Sequence, residues 1–164
     1  MNKATRLFDD GQLGLEIREI KPADLANGFL DTLENLSDTG GLSPEAALKI
    51  LAVMRRNSNH HVFVAVRAGG QVIATTTLYV EQKFIHRGGL VGHIEDVAVR
   101  KDCEGKGVGG SIVMAAVERA KKLGCYKCIL DCRAGLVGFY QGLGFAKHDE
   151  GMRLDLKPKA RRKR

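Results

Sequence analysis

Charged and apolar residues alternate from Glu16 to Ile20, the period-two pattern of a strand with one covered face. Lys21-Pro22 breaks that pattern. From Asp24 the period changes. Leu25, Phe29, Leu33 and Leu36 fall on one stripe, which predicts a helix to about Leu36 with Asp24 in its cap region. Ser37-Asp38-Thr39-Gly40-Gly41 reads as a loop. Ser43 then caps a second helix with Pro44 at its first position. Leu48, Leu51 and Met54 supply its apolar face.

Strands follow. His61 to Val66 is continuously apolar after its first residue, Ala68-Gly69-Gly70 is a hairpin turn, and Gln71 to Val80 is rich in β-branched residues. A polar, glycine-containing stretch covers Glu81 to Gly89, and His93 to Val99 is a further strand. A glycine-rich turn, Gly105 to Gly110, opens a helix from about Val108 to Leu123 that Gly124 terminates. Its inward positions are Ile112, Ala115, Ala116, Arg119 and Ala120. Tyr126 to Cys132 reads as a strand, Leu136 to Gly142 as a short helix, and Phe145 to Leu156 as a final strand or hairpin. Three successive strands argue for antiparallel neighbours, and the later strand–helix–strand unit for a parallel crossover. The expected architecture is an α/β fold of the α+β kind, a central mixed β-sheet flanked by helices.

Composition adds boundaries. The 164 residues suit one domain, here 1–156, followed by a basic C-terminal tail, 157–164. With 44% hydrophobic and 27% charged residues the chain is ordinary globular protein. No apolar run reaches a membrane span, and Met1 to Leu15 lacks the apolar core of a signal peptide. A cytoplasmic location is expected, with a peroxisome-like organelle as the alternative. Of the formal charge of +7, six units belong to the tail, which leaves +1 for residues 1–156. Aromatics are 5% and tryptophan is absent, so a base-stacking platform is not expected, and neither nucleic acid nor membrane is required. Cys125, Cys128 and Cys132 raise the question of zinc. No histidine lies at ligand spacing and the segment reads as a strand, so reduced thiols and no metal are expected.

The chemistry gathers between Ile94 and Leu123. A strand, a short loop, then Gly105-Lys106-Gly107-Val108-Gly109-Gly110 lead into a long helix. Glycines admit sharp turns and expose N–H groups, and a helix N-terminus adds free donors and the positive dipole end. The turn serves either as plain punctuation or as a cradle for a phosphate or pyrophosphate. No Walker lysine pattern is present, and the dinucleotide fingerprint would require a different position in the fold.

Glu104-Gly105-Lys106-Gly107-Val108-Gly109 resembles the pyrophosphate motif of the GNAT superfamily of acetyltransferases, with Glu104 in place of the usual Gln or Arg. His93-Ile94-Glu95-Asp96-Val97-Ala98-Val99 is similar to the glucosamine-6-phosphate N-acetyltransferases within it. So are Lys83-Phe84-Ile85-His86, Cys125-Tyr126-Lys127, Leu130-Asp131-Cys132, Val137-Gly138-Phe139-Tyr140 and the loop before Ser43-Pro44-Glu45. The matches keep their order over residues 16–156.

The resemblance implies the GNAT acyl-CoA N-acyltransferase fold, acetyl-CoA as co-substrate, and acetyl transfer to the amine of glucosamine 6-phosphate on the way to UDP-N-acetylglucosamine. It also implies a homodimer. It assigns the CoA arm to the backbone of Val97, Ala98 and Val99, and the pyrophosphate to Gly105, Lys106, Gly107, Val108, Gly109 and Gly110. Tyr140 falls beside the CoA sulfur, as general acid. Glu95, Asp96 and Asp131 meet the sugar, with Glu95 and Asp131 as catalytic carboxylates. The remaining substrate residues are Ser37, Lys83, Phe84, Ile85, His86, Val97, Cys132 and Arg153. The family asparagine before Val137 is Leu136 here, and its C-terminal arginine falls at Asp155, with Arg153 nearby. Two other readings compete: a GNAT enzyme for another amine, such as a protein or polyamine, and an RNA- or membrane-binding module acting through the tail.

Overall fold

The computed structural model of the chain describes residues 8–10 and 14–156. They fall into two compact units, one ending at Leu130 and one beginning at Asp131. The expected basic tail, 157–164, lies outside the described residues.

The first unit is built on a six-stranded sheet in the order β1-β2-β3-β4-β5-β6: β1 (Phe8–Asp10), β2 (Leu15–Glu19), β3 (His60–Val66), β4 (Val72–Gln82), β5 (Leu90–Val99) and β6 (Cys125–Ile129). Every neighbouring pair is antiparallel except β5 and β6, which are parallel. The mixed sheet is as the pattern predicts, and β1 is added at its edge. Central β3 is buried along nearly its whole length, because both faces are covered. Val62, Val64 and Val66 pack with Ile20, Leu25, Ala47, Leu51 and Val72 under the N-terminal helices. The other face lies under α4 (Val108–Lys122), which buries Ile112, Val113, Ala115, Ala116 and Ala120. Gly92 permits that approach: a Cβ there would stand 3.2 Å from the Ala120 methyl and 3.0 Å from Leu78 Cδ1.

The predicted helix over 24–36 is broken in two. A 3-10 turn, Pro22–Ala26, precedes α1 (Phe29–Glu34), and Gly28 between them has φ 96°. A side chain at Gly28 would meet the carbonyl oxygen of Val72 at 3.0 Å, so the close passage of β4 requires glycine there. Leu36 therefore lies beyond the helix, and exposed. In α2 (Pro44–Met54) Ser43 accepts from the Ala46 N–H and Pro44 stands first, as the sequence predicts. Its buried face is Ala47, Leu51 and Met54, while Leu48 is exposed, so the inward stripe is rotated by one residue. The β3–β4 hairpin closes at Gly69-Gly70, and Gly124 follows α4 in the left-handed conformation.

In the second unit a 3-10 turn, Ala134–Leu136, leads into α5 (Val137–Gly142). The expected strand over Phe145 to Leu156 is absent. That segment is irregular, and among the described residues the unit offers no strand for it to pair with. The strand expected to run to Cys132 stops at Ile129.

Candidate active site

The glycine turn makes an uncapped helix start. Gly107 stands at the N-cap of α4 with φ 82°, and no side chain caps the helix. The first intrahelical bond runs from Ser111 N–H to Gly107 O at 3.1 Å, so the amides of the first turn face outward without an intrahelical acceptor. Gly105 has φ 73° with open space where a Cβ would be. Lys106 folds back, its Nζ donating to the Asp102 carbonyl at 2.7 Å. Beside this turn, Asp31, Asn35, Arg100, Lys101 and Asp102 line an open cleft of about 450 Å³. Asn35 Nδ2 donates to the Val99 carbonyl at 3.2 Å and ties α1 to the end of β5.

β5 is irregular where the carboxylates sit. Thr75 pairs with Ala98 and Thr77 with Glu95, so Asp96 and Val97 together oppose Thr76 alone. Asp96 has φ 50°, a left-handed conformation that aspartate tolerates better than most residues. This bulge interrupts the alternation of the strand, and the side chains of Glu95 and Asp96 are both exposed. Buried Thr76 spans the bulge, its hydroxyl donating to the Glu95 carbonyl at 3.1 Å. On the other edge, β6 accompanies β5 only from Leu90 to His93. Among the described residues no strand pairs with Ile94–Val99 on that side, so the sheet parts there.

The β4–β5 connection carries the basic residues. Lys83 Nζ lies 2.5 Å from Glu81 Oε1. Phe84 is entirely exposed and Ile85 largely so. His86 and Arg87, inside the single turn α3 (Ile85–Gly88), have φ 52° and 57°. Two consecutive non-glycine residues in that region are costly, and packing holds them: the His86 ring lies 4.4 Å from that of Tyr126. Lys83 and His86 thus share one turn but have different partners. Ser37 is exposed just after α1, its N–H donating to the Leu33 carbonyl at 3.0 Å. Its loop is tied down by Glu34, which accepts from the Thr39 N–H at 2.9 Å.

In the second unit Tyr140 is 7% exposed, its ring set edgewise to Phe139 at 4.9 Å and Phe145 at 5.9 Å. Burial, and then the neighbouring Cys132 thiol, push the phenol above its usual pKa. Asp131 and Cys132 are exposed, and Gly151 passes close enough that a Cβ would lie 3.4 Å from Asp131 Oδ1. Arg153 Nε donates to Asp155 Oδ1 at 2.6 Å. Burial, and then the charge of Cys125, push the Cys128 thiol up to about 11. Among the described residues no group of three or more His, Cys, Asp or Glu is arranged to hold a metal. No helix among them is long and apolar enough to cross a membrane.

Glu81 and His93 lie outside the predicted site. The signal for Glu81 is its place two residues before Lys83, near the end of β4.

A mixed sheet that parts beside a strand bulge, followed by a glycine-started helix with a bare N-terminus, is the framework of an acyl-CoA-dependent acetyltransferase. The chain belongs to the acetyltransferase (GNAT) family, whose model matches residues 29–145. It is 39% identical to the glucosamine 6-phosphate N-acetyltransferase of Candida albicans, over 80% of this chain and 89% of that protein. It is also 39% identical to glucosamine 6-phosphate N-acetyltransferase 1 of Oryza sativa subsp. japonica, over 88% of each. The crystal structure of glucosamine-6-phosphate N-acetyltransferase from Arabidopsis thaliana superposes with a TM-score of 0.85. It is 30% identical, and the match covers 87% of this chain and 99% of that one. The family and the mixed-sheet fold expected from the sequence are both borne out.

Proposed function

We propose that the chain transfers the acetyl group of acetyl-CoA to the amine of glucosamine 6-phosphate, giving N-acetylglucosamine 6-phosphate and CoA, a step towards UDP-N-acetylglucosamine. The observation that carries the reading is the bare N-terminus of α4 beside the unpaired end of β5. The main chain of residues 105–110 suits a pyrophosphate, since its donors are preformed and carry the helix dipole. The free edge at Val97, Ala98 and Val99 suits an extended amide-bearing arm, which adds a strand-like ladder.

Transfer is by direct attack in a ternary complex. The sugar ammonium first gives a proton to a carboxylate, Glu95, Asp96 or Asp131, directly or through water. The amine then attacks the thioester carbon. Its C–N bond forms as the C–S bond breaks, and main-chain amides near the bulge at Val97 balance charge on the carbonyl oxygen. Tyr140, whose raised pKa keeps it protonated, supplies a proton to the departing thiolate, and the second proton, shed by the new amide nitrogen, passes through water to restore the phenol. Lys83 and His86 meet the sugar phosphate, and Ser37, Phe84, Ile85, Cys132 and Arg153 complete the acceptor site. The working enzyme is a homodimer. The test is release of CoA thiol from acetyl-CoA across a panel of amines. Glucosamine 6-phosphate is expected to give the highest rate. A rate no greater than the no-acceptor control would end the reading.

A further inference from the structure

Lys83 is not a free basic group. Glu81 precedes it by two residues, near the end of β4, and holds its ammonium through Oε1 at 2.5 Å. The other carboxylate oxygen, Oε2, lies 2.8 Å from Nε2 of His93 on β5. His93 is in turn the register partner of Tyr79, with ring centroids 6.5 Å apart. The carboxylate therefore has one partner for each oxygen, and all three side chains are partly shielded from water, between 27% and 38% exposed. Lys83 first, and His93 second, hold Glu81 below the usual carboxylate range, so it stays ionised.

Two consequences follow for a phosphate arriving at Lys83. An ammonium has three N–H donors, and Glu81 takes one, which leaves the others for phosphate oxygens. A lysine gathered in from solvent would lose the rotamer freedom of a long stem on binding. Here the folded protein has already restricted it. A bare carboxylate beside the phosphate would repel it, but His93 occupies the second oxygen.

We propose that Glu81, braced by His93, is a positioning residue that presents Lys83 to the phosphate of the acceptor sugar. This rests on the reading of the acceptor as glucosamine 6-phosphate. The experiment is steady-state kinetics on the full chain in a double-mutant cycle: wild type, Glu81→Ala, Lys83→Ala and the double variant, each first checked by thermal melting. Glu81→Ala is expected to raise KM for glucosamine 6-phosphate about tenfold, with kcat and KM for acetyl-CoA within twofold of wild type. In the Lys83→Ala background the same substitution is expected to change kcat/KM by less than about twofold, because the group it orients is gone. If the alanine variant does not fold, Glu81→Gln, which keeps the size and one acceptor, is expected to move KM in the same direction by a smaller factor. An unchanged KM would mean that Glu81 does not position Lys83, a lowered KM that it only repels the anion, and an equal loss in both backgrounds a general structural role. Either result overturns the proposal while leaving the acetyltransferase reading intact. Failure of the wild type to use glucosamine 6-phosphate would overturn both, and is recognised before any variant is made.

Discussion

The chemical role proposed for Tyr140 can be separated from its packing role. Its ring is wedged between Phe139 and Phe145. Burial raises the pKa of its hydroxyl, and the Cys132 thiol adds to the effect. A raised pKa favours the neutral phenol, so the proton needed by a leaving thiolate is retained through neutral and mildly alkaline pH. Tyr140→Phe keeps the ring and deletes the proton. It is expected to lower kcat about a hundredfold, in the range of general acid catalysis, while KM for acetyl-CoA stays within twofold. In the wild type, any alkaline loss of kcat from this group should begin above the ordinary tyrosine value of about 10. Steady-state rates from pH 7 to 10.5 measure both, and an unimpaired Phe variant would remove Tyr140 from the chemistry.

The elements that were legible in the sequence are those whose signals are local. Ser43-Pro44 marks the start of α2, Gly69-Gly70 the β3–β4 hairpin, and Gly107 the start of α4, each through its own backbone preference. The features that escaped are set by neighbours far along the chain. Gly28 breaks the first helix because β4 passes 3.0 Å from where its Cβ would be, and the bulge at Asp96 exists only in the register against Thr75–Thr77. The same holds for the pair that joins β2 to the 3-10 turn. Arg18 donates from both terminal nitrogens to Asp24, at 2.6 and 2.9 Å, with both residues buried. Burial opposes ionisation of Asp24, but the hydrogen bonds from Arg18 and from the Lys21 N–H outweigh it and hold its carboxyl below the usual range. A lowered folded-state pKa means the stabilisation is complete above the unfolded value, about 3.9, and is lost as pH falls through the folded one. Asp24→Ala removes the bidentate partner of a buried guanidinium, leaving it Glu16 Oε2 at 3.5 Å and the Glu19 carbonyl at 3.2 Å, and is expected to cost about 3 kcal/mol at pH 7. The difference in stability between wild type and variant should persist at pH 5 and shrink below about pH 4. Urea unfolding at these pH values measures it, and a variant as stable as wild type at pH 7 would show that the pair contributes nothing net.

At the scale of the whole molecule, the segment after Phe145 bears on the proposed homodimer. Its pattern is that of a strand, yet it forms none. Met152, Leu154 and Leu156 are 95%, 82% and 88% exposed. Three large apolar side chains on alternate residues cost about 2 kcal/mol each when left in water. A strand needs a ladder partner, and among the described residues the unit from Asp131 onward contains no strand to supply one. A second copy of the chain can supply both the ladder and the apolar cover, which is the physical argument for the homodimer. Light scattering behind size exclusion is then expected to give about twice the chain mass of 17.9 kDa. Replacing Leu154→Asp together with Leu156→Asp places two charges in the exposed apolar strip and leaves the basic tail in place. The pair should yield a monomer at micromolar concentration, with acetyl transfer reduced more than tenfold if the proposed acceptor site takes Arg153 from this segment. A wild-type chain that runs as a fully active monomer would show instead that the strip is tolerated in water, and the acceptor site would have to be complete within one copy.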